Sequence, residues 1–435
     1  MRGWGIFAVA LLATTGGMGA PTLPWAGALA WLLTPWLFPQ LDARQKRTVG
    51  ALLGIGLLLA LSAAATGHSV AWAKMLTQNT LLIAMLASVT FLQLVAPAPP
   101  AVRAETRPAP PWRRLLQVVS AVHLIGAVIN LSMVVITVEQ LVKRSHAPLP
   151  EPMARALARG FLAAALWSPF FAAMAVAITY APGASLAAIA QYGAPLAVVL
   201  IAFSIAEIVR RYPAEALASL PDYPLTPRQL FLPFAMATLV VVGHEWRPDW
   251  AMLSVINLAA MGLPFVVLLV RASAAEWQHT LYHHIVERLP LMRGELLLFL
   301  AAGVFAVGIE SWLPVIGHWL PVARFDWVVA ALTLAGMIAL ASIGVHAVIT
   351  ITIVSSWFAP LAPDPVVLAL MFLGTWALGL AVNPLSGVHL LLEARFGLSA
   401  VQLARGNWRY AMIGYALVVA AIAVRQSQAL ALAIS

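Results

Sequence analysis

The chain contains no cysteine. That excludes disulfides, iron–sulfur clusters, thiolate zinc sites and cysteine nucleophiles together. Charge is scarce too. Asp, Glu, Lys and Arg make up 9% of the 435 residues, where a soluble protein carries roughly a quarter. Acids are the scarcer sign, 16 against 25 Lys and Arg, for a net charge of +9. No run of five or more like charges occurs, so the excess does not point to nucleic acid. No phosphate-binding loop is present either, which excludes a nucleotide-driven pump.

Apolar residues fill the space, at 62% of the chain with a mean hydropathy of +0.91. A surface with so few charges must face lipid, so the composition predicts an all-α polytopic protein of the cell inner (plasma) membrane. A spanning helix needs about 20 mostly apolar residues. Such runs fall near 4–20, 22–38, 48–66, 72–95, 115–142, 184–209, 229–244, 250–270, 294–313, 327–358 and 408–424, giving eleven expected crossings. The first twenty residues have the look of a signal peptide, but apolar sequence resumes after Pro21, and a retained first helix is expected.

Two further apolar stretches carry a breaker near the middle. Residues 157–181 contain Leu166-Trp167-Ser168-Pro169-Phe170, and residues 366–396 contain Val382-Asn383-Pro384-Leu385-Ser386-Gly387. Proline removes a backbone donor and disfavours helix at the residue before it. Each arm has about ten residues, roughly 15 Å of helix, half a bilayer. The two stretches are therefore re-entrant hairpins or, alternatively, Pro-kinked spanning helices. With the hairpins re-entrant, Arg44, Lys46, Arg47, Arg113, Arg114, Arg210, Arg211, Arg395, Arg405 and Arg409 fall in the cytoplasm with the N-terminus. Lys143, Arg144, Arg155, Arg159 and Arg425 are exceptions, placed outside.

Self-similarity organises the rest. Thr80–Met85 resembles Glu295–Leu300, 215 residues later; Ile125-Gly126 recurs as Ile343-Gly344 after 218, Ser168-Pro169 as Asn383-Pro384 after 215, and Gly193 as Gly406 after 213. The expected organisation is an extra helix (1–21), a first repeat (22–209), a cytoplasmic linker (210–228), a second repeat (229–424) and a tail (425–435). Five crossings per repeat force the second copy to be inverted. Inverted repeats with paired broken elements are the architecture of secondary transporters, with the substrate at mid-membrane.

Through Ser168-Pro169, Asn383-Pro384-Leu385-Ser386-Gly387, the helix pair before each hairpin and the run from Leu296 to Glu310, the chain resembles the ion transporter superfamily. That superfamily includes divalent-anion/sodium symporters, citrate transporters and arsenite or antiporter-type permeases. The resemblance covers about residues 22–424 in architecture, although neither tip carries the Ser-Asn-Thr signature common among its members. It implies a moving transport domain that holds the hairpins, a scaffold, and a homodimer.

A hairpin tip exposes free carbonyls at the end of one half-helix and free N–H groups with a partial positive charge at the start of the next. Ser168, Asn383, Ser386 and Gly387 are the expected substrate- or ion-binding residues there, unless the polar ones only cap the half-helices. Asn130 and Thr350 occupy matching places on the preceding helices. His346 and His389 are the proton-coupling candidates, because an intramembrane histidine can titrate between about pH 5 and 8. Glu310 and Lys74 read as interfacial, and Glu139 as pairing locally near Lys143. Residues 272–293 read as an interfacial amphipathic helix with Trp277, Leu281, Ile285 and Leu289 on one face. The Pro- and Ala-rich segment 96–114 reads as a stiff linker.

The expected function is secondary transport of a small anionic solute, coupled to a proton or sodium ion, with no other cofactor, no metal and no catalytic residues. An intramembrane enzyme acting on a lipid-linked substrate, or a non-transporting accessory membrane subunit, are the alternatives.

Overall fold

The structure, a computed structural model, describes residues 2–96, 109–145, 147–218, 220–221, 223, 226–317 and 319–434. Most of the 96–114 linker, with Arg103 and Arg107, lies outside the described residues. Among those described, the chain is helical with no strand, and eight helices are long and apolar enough to cross a membrane.

In chain order the α-helices of the first half are α1 (Arg2–Gly16), α2 (Leu23–Leu37), α3 (Ala43–Ala65), α4 (Trp72–Thr77), α5 (Thr80–Thr90), α6 (Pro111–Ile129), α7 (Leu131–Ser145), α8 (Glu151–Ala163), α9 (Ala172–Tyr180), α10 (Leu186–Arg211) and α11 (Ala214–Ala218). The second half continues with α12 (Pro227–Trp246), α13 (Met252–Arg271), α14 (Ala274–His283), α15 (Arg293–Trp312), α16 (Trp327–Ser342), α17 (Ala347–Phe358), α18 (Pro365–Gly374), α19 (Leu380–Val382), α20 (Gly387–Phe396), α21 (Ala400–Gly406) and α22 (Trp408–Ile434).

Both breaker sequences interrupt helix where expected, at Trp167–Phe171 and at Asn383–Ser386. Three runs expected to be continuous are broken as well. The 72–95 run breaks at Asn79 (φ 65°), the 115–142 run at Asn130 (φ 60°) and the 327–358 run around Gly344 (φ 98°). Asparagine and glycine are the residues that reach positive φ at least cost, and apolar flanks on both sides hide such a break from a hydropathy reading. Asn130 and Gly344 stand 214 residues apart, so the break, rather than the Ile-Gly pair, is the landmark that keeps the common spacing.

The chain divides into two compact units, each drawn from both halves of the sequence. The first comprises Met1–Val95, Ala235–Ala323 and Thr352–Ala362; the second comprises Ala96–Phe234, Arg324–Ile351 and Pro363–Ser435. Two of the five dividing lines fall inside helices, α12 and α17.

In the first unit, α3 lies along α15 while α5 packs on α13 and α1. Glycine permits the α3–α15 crossing. A Cβ on Gly308 would collide with the Gly56 carbonyl oxygen, and one on Gly56 would come within 2.7 Å of the Phe305 Cα. Small residues let helices in lipid approach to backbone contact, where dispersion replaces the hydrophobic drive that lipid does not supply. Lys74 and Glu310 form an ion pair at 2.5 Å with both side chains partly exposed. The 272–293 segment is α14 followed by a π turn (His284–Arg288) and a short 3₁₀ turn. Ile285 and Leu289 are buried along its apolar stripe, Trp277 meets the Phe265 ring edge-on, and His283 pairs with Glu287 at 2.7 Å.

In the second unit the first arm of each broken stretch is the better packed. α8 lies on α6 and α10; α18 lies on α9, α16 and α22. The arms of one stretch do not run along each other; α9 packs instead on α18, the opening arm of the other stretch. Glu139 does not pair near Lys143. It bonds Arg395, 2.9 Å away on α20, because the two helices that carry them pack together. Arg425, read as a loop charge, forms a 2.8 Å ion pair with Asp364, the N-cap of α18.

Gly308→Ala is expected to force α3 and α15 apart and cost about 1–3 kcal/mol, the usual range for overpacking. Gly54→Ala, at a position with open space beside it, should leave stability unchanged or slightly raised. Thermal unfolding in detergent distinguishes the two.

Candidate functional site

Both breaker sequences lie in the second unit, and their released backbone groups find partners on neighbouring helices. Ser168, almost fully buried, donates its hydroxyl to the Ala127 carbonyl at 2.5 Å and accepts the Phe170 N–H at 3.2 Å. The Asn130 amide donates to the Phe170 carbonyl at 3.3 Å. The break in the 115–142 run is thus tied to the first breaker sequence by two hydrogen bonds. His123 adds a third tie. Its Nδ1 lies 2.9 Å from the Gly160 carbonyl, and the Trp167 indole donates to its Nε2 at 3.0 Å. An indole only donates and a carbonyl only accepts, so His123 is neutral with its proton on Nδ1.

The second breaker sequence begins with an Asx turn, in which the Asn383 side-chain oxygen accepts the Leu385 N–H at 2.8 Å. His389, on the first turn of α20, sets its Nδ1 2.9 Å from the Asn383 carbonyl. Ser386 occupies the N-cap position of α20, yet its side chain makes no capping bond. Asn383, Ser386 and His389 are 2%, 3% and 0% exposed. The Ser386 hydroxyl and the His389 Nε2 are buried with no hydrogen-bond partner among the described residues. The first amides of α20 have no intrahelical acceptor and the cap supplies none, and Gly387 at their head is exposed. A Cβ on Gly387 would touch the side chain of Leu131 at 3.8 Å, which places the start of α20 beside the Asn130 break.

The other candidates are employed differently. Thr350 donates to the Ala347 carbonyl within its own helix at 3.0 Å. His346 accepts the Val348 N–H on Nδ1 at 3.2 Å and meets Trp376 edge-on, with centroids 5.6 Å apart. Trp376 belongs to a π turn, Thr375–Gly379, in the arm that leads to the second break.

A buried ionic network escaped the sequence reading. Arg155 and Arg159, expected as external charges, are 6% and 1% exposed. The Arg159 guanidinium donates to Glu207 at 2.7 Å, to the Asn407 side-chain oxygen at 2.8 Å, to the Gly406 carbonyl at 3.2 Å and to the Ser204 hydroxyl at 3.3 Å. It stacks 4.9 Å from the Tyr410 ring centroid. The Asn407 amide in turn donates to the Ala381 carbonyl at 2.9 Å, a group orphaned by the break that follows. Arg155 pairs with Glu151 at 2.5 Å and donates to the same Gly406 carbonyl. A Cβ on Gly406 would overlap the Arg155 guanidinium, so any larger residue here would displace that side chain from the Gly406 carbonyl. Gly193, its counterpart in the repeat, meets the Leu166 carbonyl as closely. Beyond the end of α10, burial lifts the Tyr212 phenol above its ordinary pKa, with Arg155 opposing. The available signal was Glu207 itself, an acid late in an apolar helix, together with Arg155 and Arg159 one turn apart on another.

Arg159→Met should strand the Glu207 carboxylate and destabilise the protein by about 3–5 kcal/mol. Adding Glu207→Gln should restore much of that loss, as read by unfolding temperature.

The sequence matches no known protein family, and no curated protein matches it.

Proposed function

We propose that this chain is a secondary active transporter. It carries a small anionic solute by alternating access, driven by a proton or sodium gradient, across the inner membrane with its N-terminus in the cytoplasm. The observation that carries the proposal is the start of α20. There a buried hydroxyl and a buried imidazole nitrogen lack partners among the described residues, at a helix start whose amides the cap leaves open. In an apolar surround, unsatisfied polar groups cost free energy, and a bound solute would recover it.

Three further features support this function. Broken helices whose half-helix ends meet polar groups are how transporters build a mid-membrane site. The breaks recur at one spacing in the two halves, and α3 with α15 and α13 with α5 form corresponding pairs, as an inverted repeat would require. The breaker sequences also share one compact unit, which suits the role of a transport domain; the first unit would then be the scaffold, and the superfamily resemblance implies a dimer. Asn383 shapes the turn, Ser386 and Gly387 face the solute, and Ser168 and Asn130 hold the neighbouring breaks in register. The buried charges do not favour a catalytic constellation, since Arg159 spends its guanidinium on Glu207, Asn407, Gly406 and Ser204.

The test is a thermal-shift panel of small carboxylates, sulfate, phosphate and arsenite on purified protein. A solute at 100 times its dissociation constant should stabilise the fold by about 2.7 kcal/mol. Ser386→Ala should remove most of that shift, and the same solute should be taken up by proteoliposomes. A shift that survives Ser386→Ala undiminished, or a bound solute that is never taken up, would overturn the proposal.

A further inference from the structure

The chemistry at the start of α20 narrows the solute class beyond the transport proposal, on which the narrowing rests. A carbonyl oxygen only accepts, so the bond to Asn383 assigns the His389 proton to Nδ1. In the neutral ring Nε2 then presents a lone pair, buried and unanswered among the described residues. On the same first turn of α20 stand the Ser386 hydroxyl, which can donate or accept, and the amides of Gly387 and Val388, which only donate.

A bare anion would satisfy the amides and the hydroxyl, but its lone pairs would oppose that of Nε2. A group carrying one acidic proton satisfies all four. Either the solute arrives as the undissociated acid and donates to Nε2, or Nε2 takes the proton and the solute binds as its anion. The count is the same: one proton enters with the solute and leaves with it.

The charges around the site decide the solute's valence. α20 packs on α7, α8 and α21. On α20 itself, Glu393 accepts the Ala400 N–H and Arg395 bonds Glu139 of α7. On α8, Glu151 holds Arg155, and Arg159 is held by Glu207 of α10. Lys143 of α7 and Arg405 of α21 are exposed. None of these side chains bonds His389 or Ser386, so the site has one proton and helix amides to set against the solute's charge. A second negative charge would be buried without compensation. We propose that this site takes a monobasic weak acid together with one proton, shared between the acid and His389 Nε2, in an electroneutral and sodium-independent step.

The experiment uses the full chain in detergent. Lactate and acetate serve as monobasic probes, succinate and sulfate as dibasic ones, each with and without sodium between pH 6 and 8. The expected result is a thermal shift from a monobasic probe whose apparent affinity weakens about tenfold per pH unit, as binding one proton requires. Calorimetry of the wild-type protein in buffers of different ionisation enthalpy should count one proton taken up. In His389→Gln the pH slope should flatten. Binding that is independent of pH, binding of dibasic acids alone, a dependence on sodium, or an unchanged slope in His389→Gln would each overturn this inference and leave the transport proposal standing.

Silence from both monobasic probes would overturn it as well. A single thiol then tells which proposal has failed, because Ser386→Cys is the only cysteine in the chain. If it reacts with a small water-soluble thiol reagent in vesicles, the site is open to solution and only the solute class is wrong. If it does not react, the site is closed and the transport proposal falls too.

Discussion

A backbone that breaks inside an apolar layer must find a partner for every amide and carbonyl it releases. The second unit is organised by that constraint. The Phe170 carbonyl is met by Asn130, the Ala127 carbonyl by Ser168 and the Ala381 carbonyl by Asn407. Each satisfying group comes from another element of the unit, so the breaks hold one another in place. The constraint is left unmet at Ser386 and His389, as it is at other buried side chains of the unit such as Gln117, Thr137, Gln140 and Tyr410, but only these two sit at the start of a half-helix that follows a breaker sequence. An isolated orphan would be a packing accident. Two buried orphans within one helical turn, Ser386 and His389, at the open start of a half-helix form a place for something to bind.

The first unit solves a different problem. Its main pairings rest on close approach between helices, with Gly56 and Gly308 removing the side chains that would hold α3 from α15. Its marked break, at Asn79, donates the asparagine amide to the Phe299 carbonyl on α15. Glycine crossings give the rigidity a scaffold needs, whereas polar staples across broken helices can be exchanged for others of similar energy. The two kinds of adhesive suit the two roles proposed for the units.

Much of this was legible in the sequence because proline and long apolar runs act locally. Pro169 and Pro384 announced their breaks. The breaks at Asn130 and Asn79 were not legible, because one asparagine in an apolar run looks like a tolerated polar residue until its φ is known. The Arg159 network was hidden for a different reason. Counting positive charges treats every arginine as a loop charge, and only tertiary packing reveals that Glu207, 48 residues on, comes within 2.7 Å. Glu139 and Arg395 were hidden in the same way. Local chemistry reads from sequence; charge pairing across distant segments does not.

Asn407 gives the network a direction. Its oxygen accepts from Arg159 while its nitrogen donates to Ala381. The line from Glu207 to the second break therefore alternates acceptor, donor, amide and acceptor, and the amide cannot be turned over without setting like against like at both ends. Neither aspartate nor leucine could replace it: one would lose the donor, the other both functions. The orientation of one side-chain amide thus joins a carboxylate on α10 and the last turn before Asn383 into one mechanical part, and a displacement at either end is felt at the other.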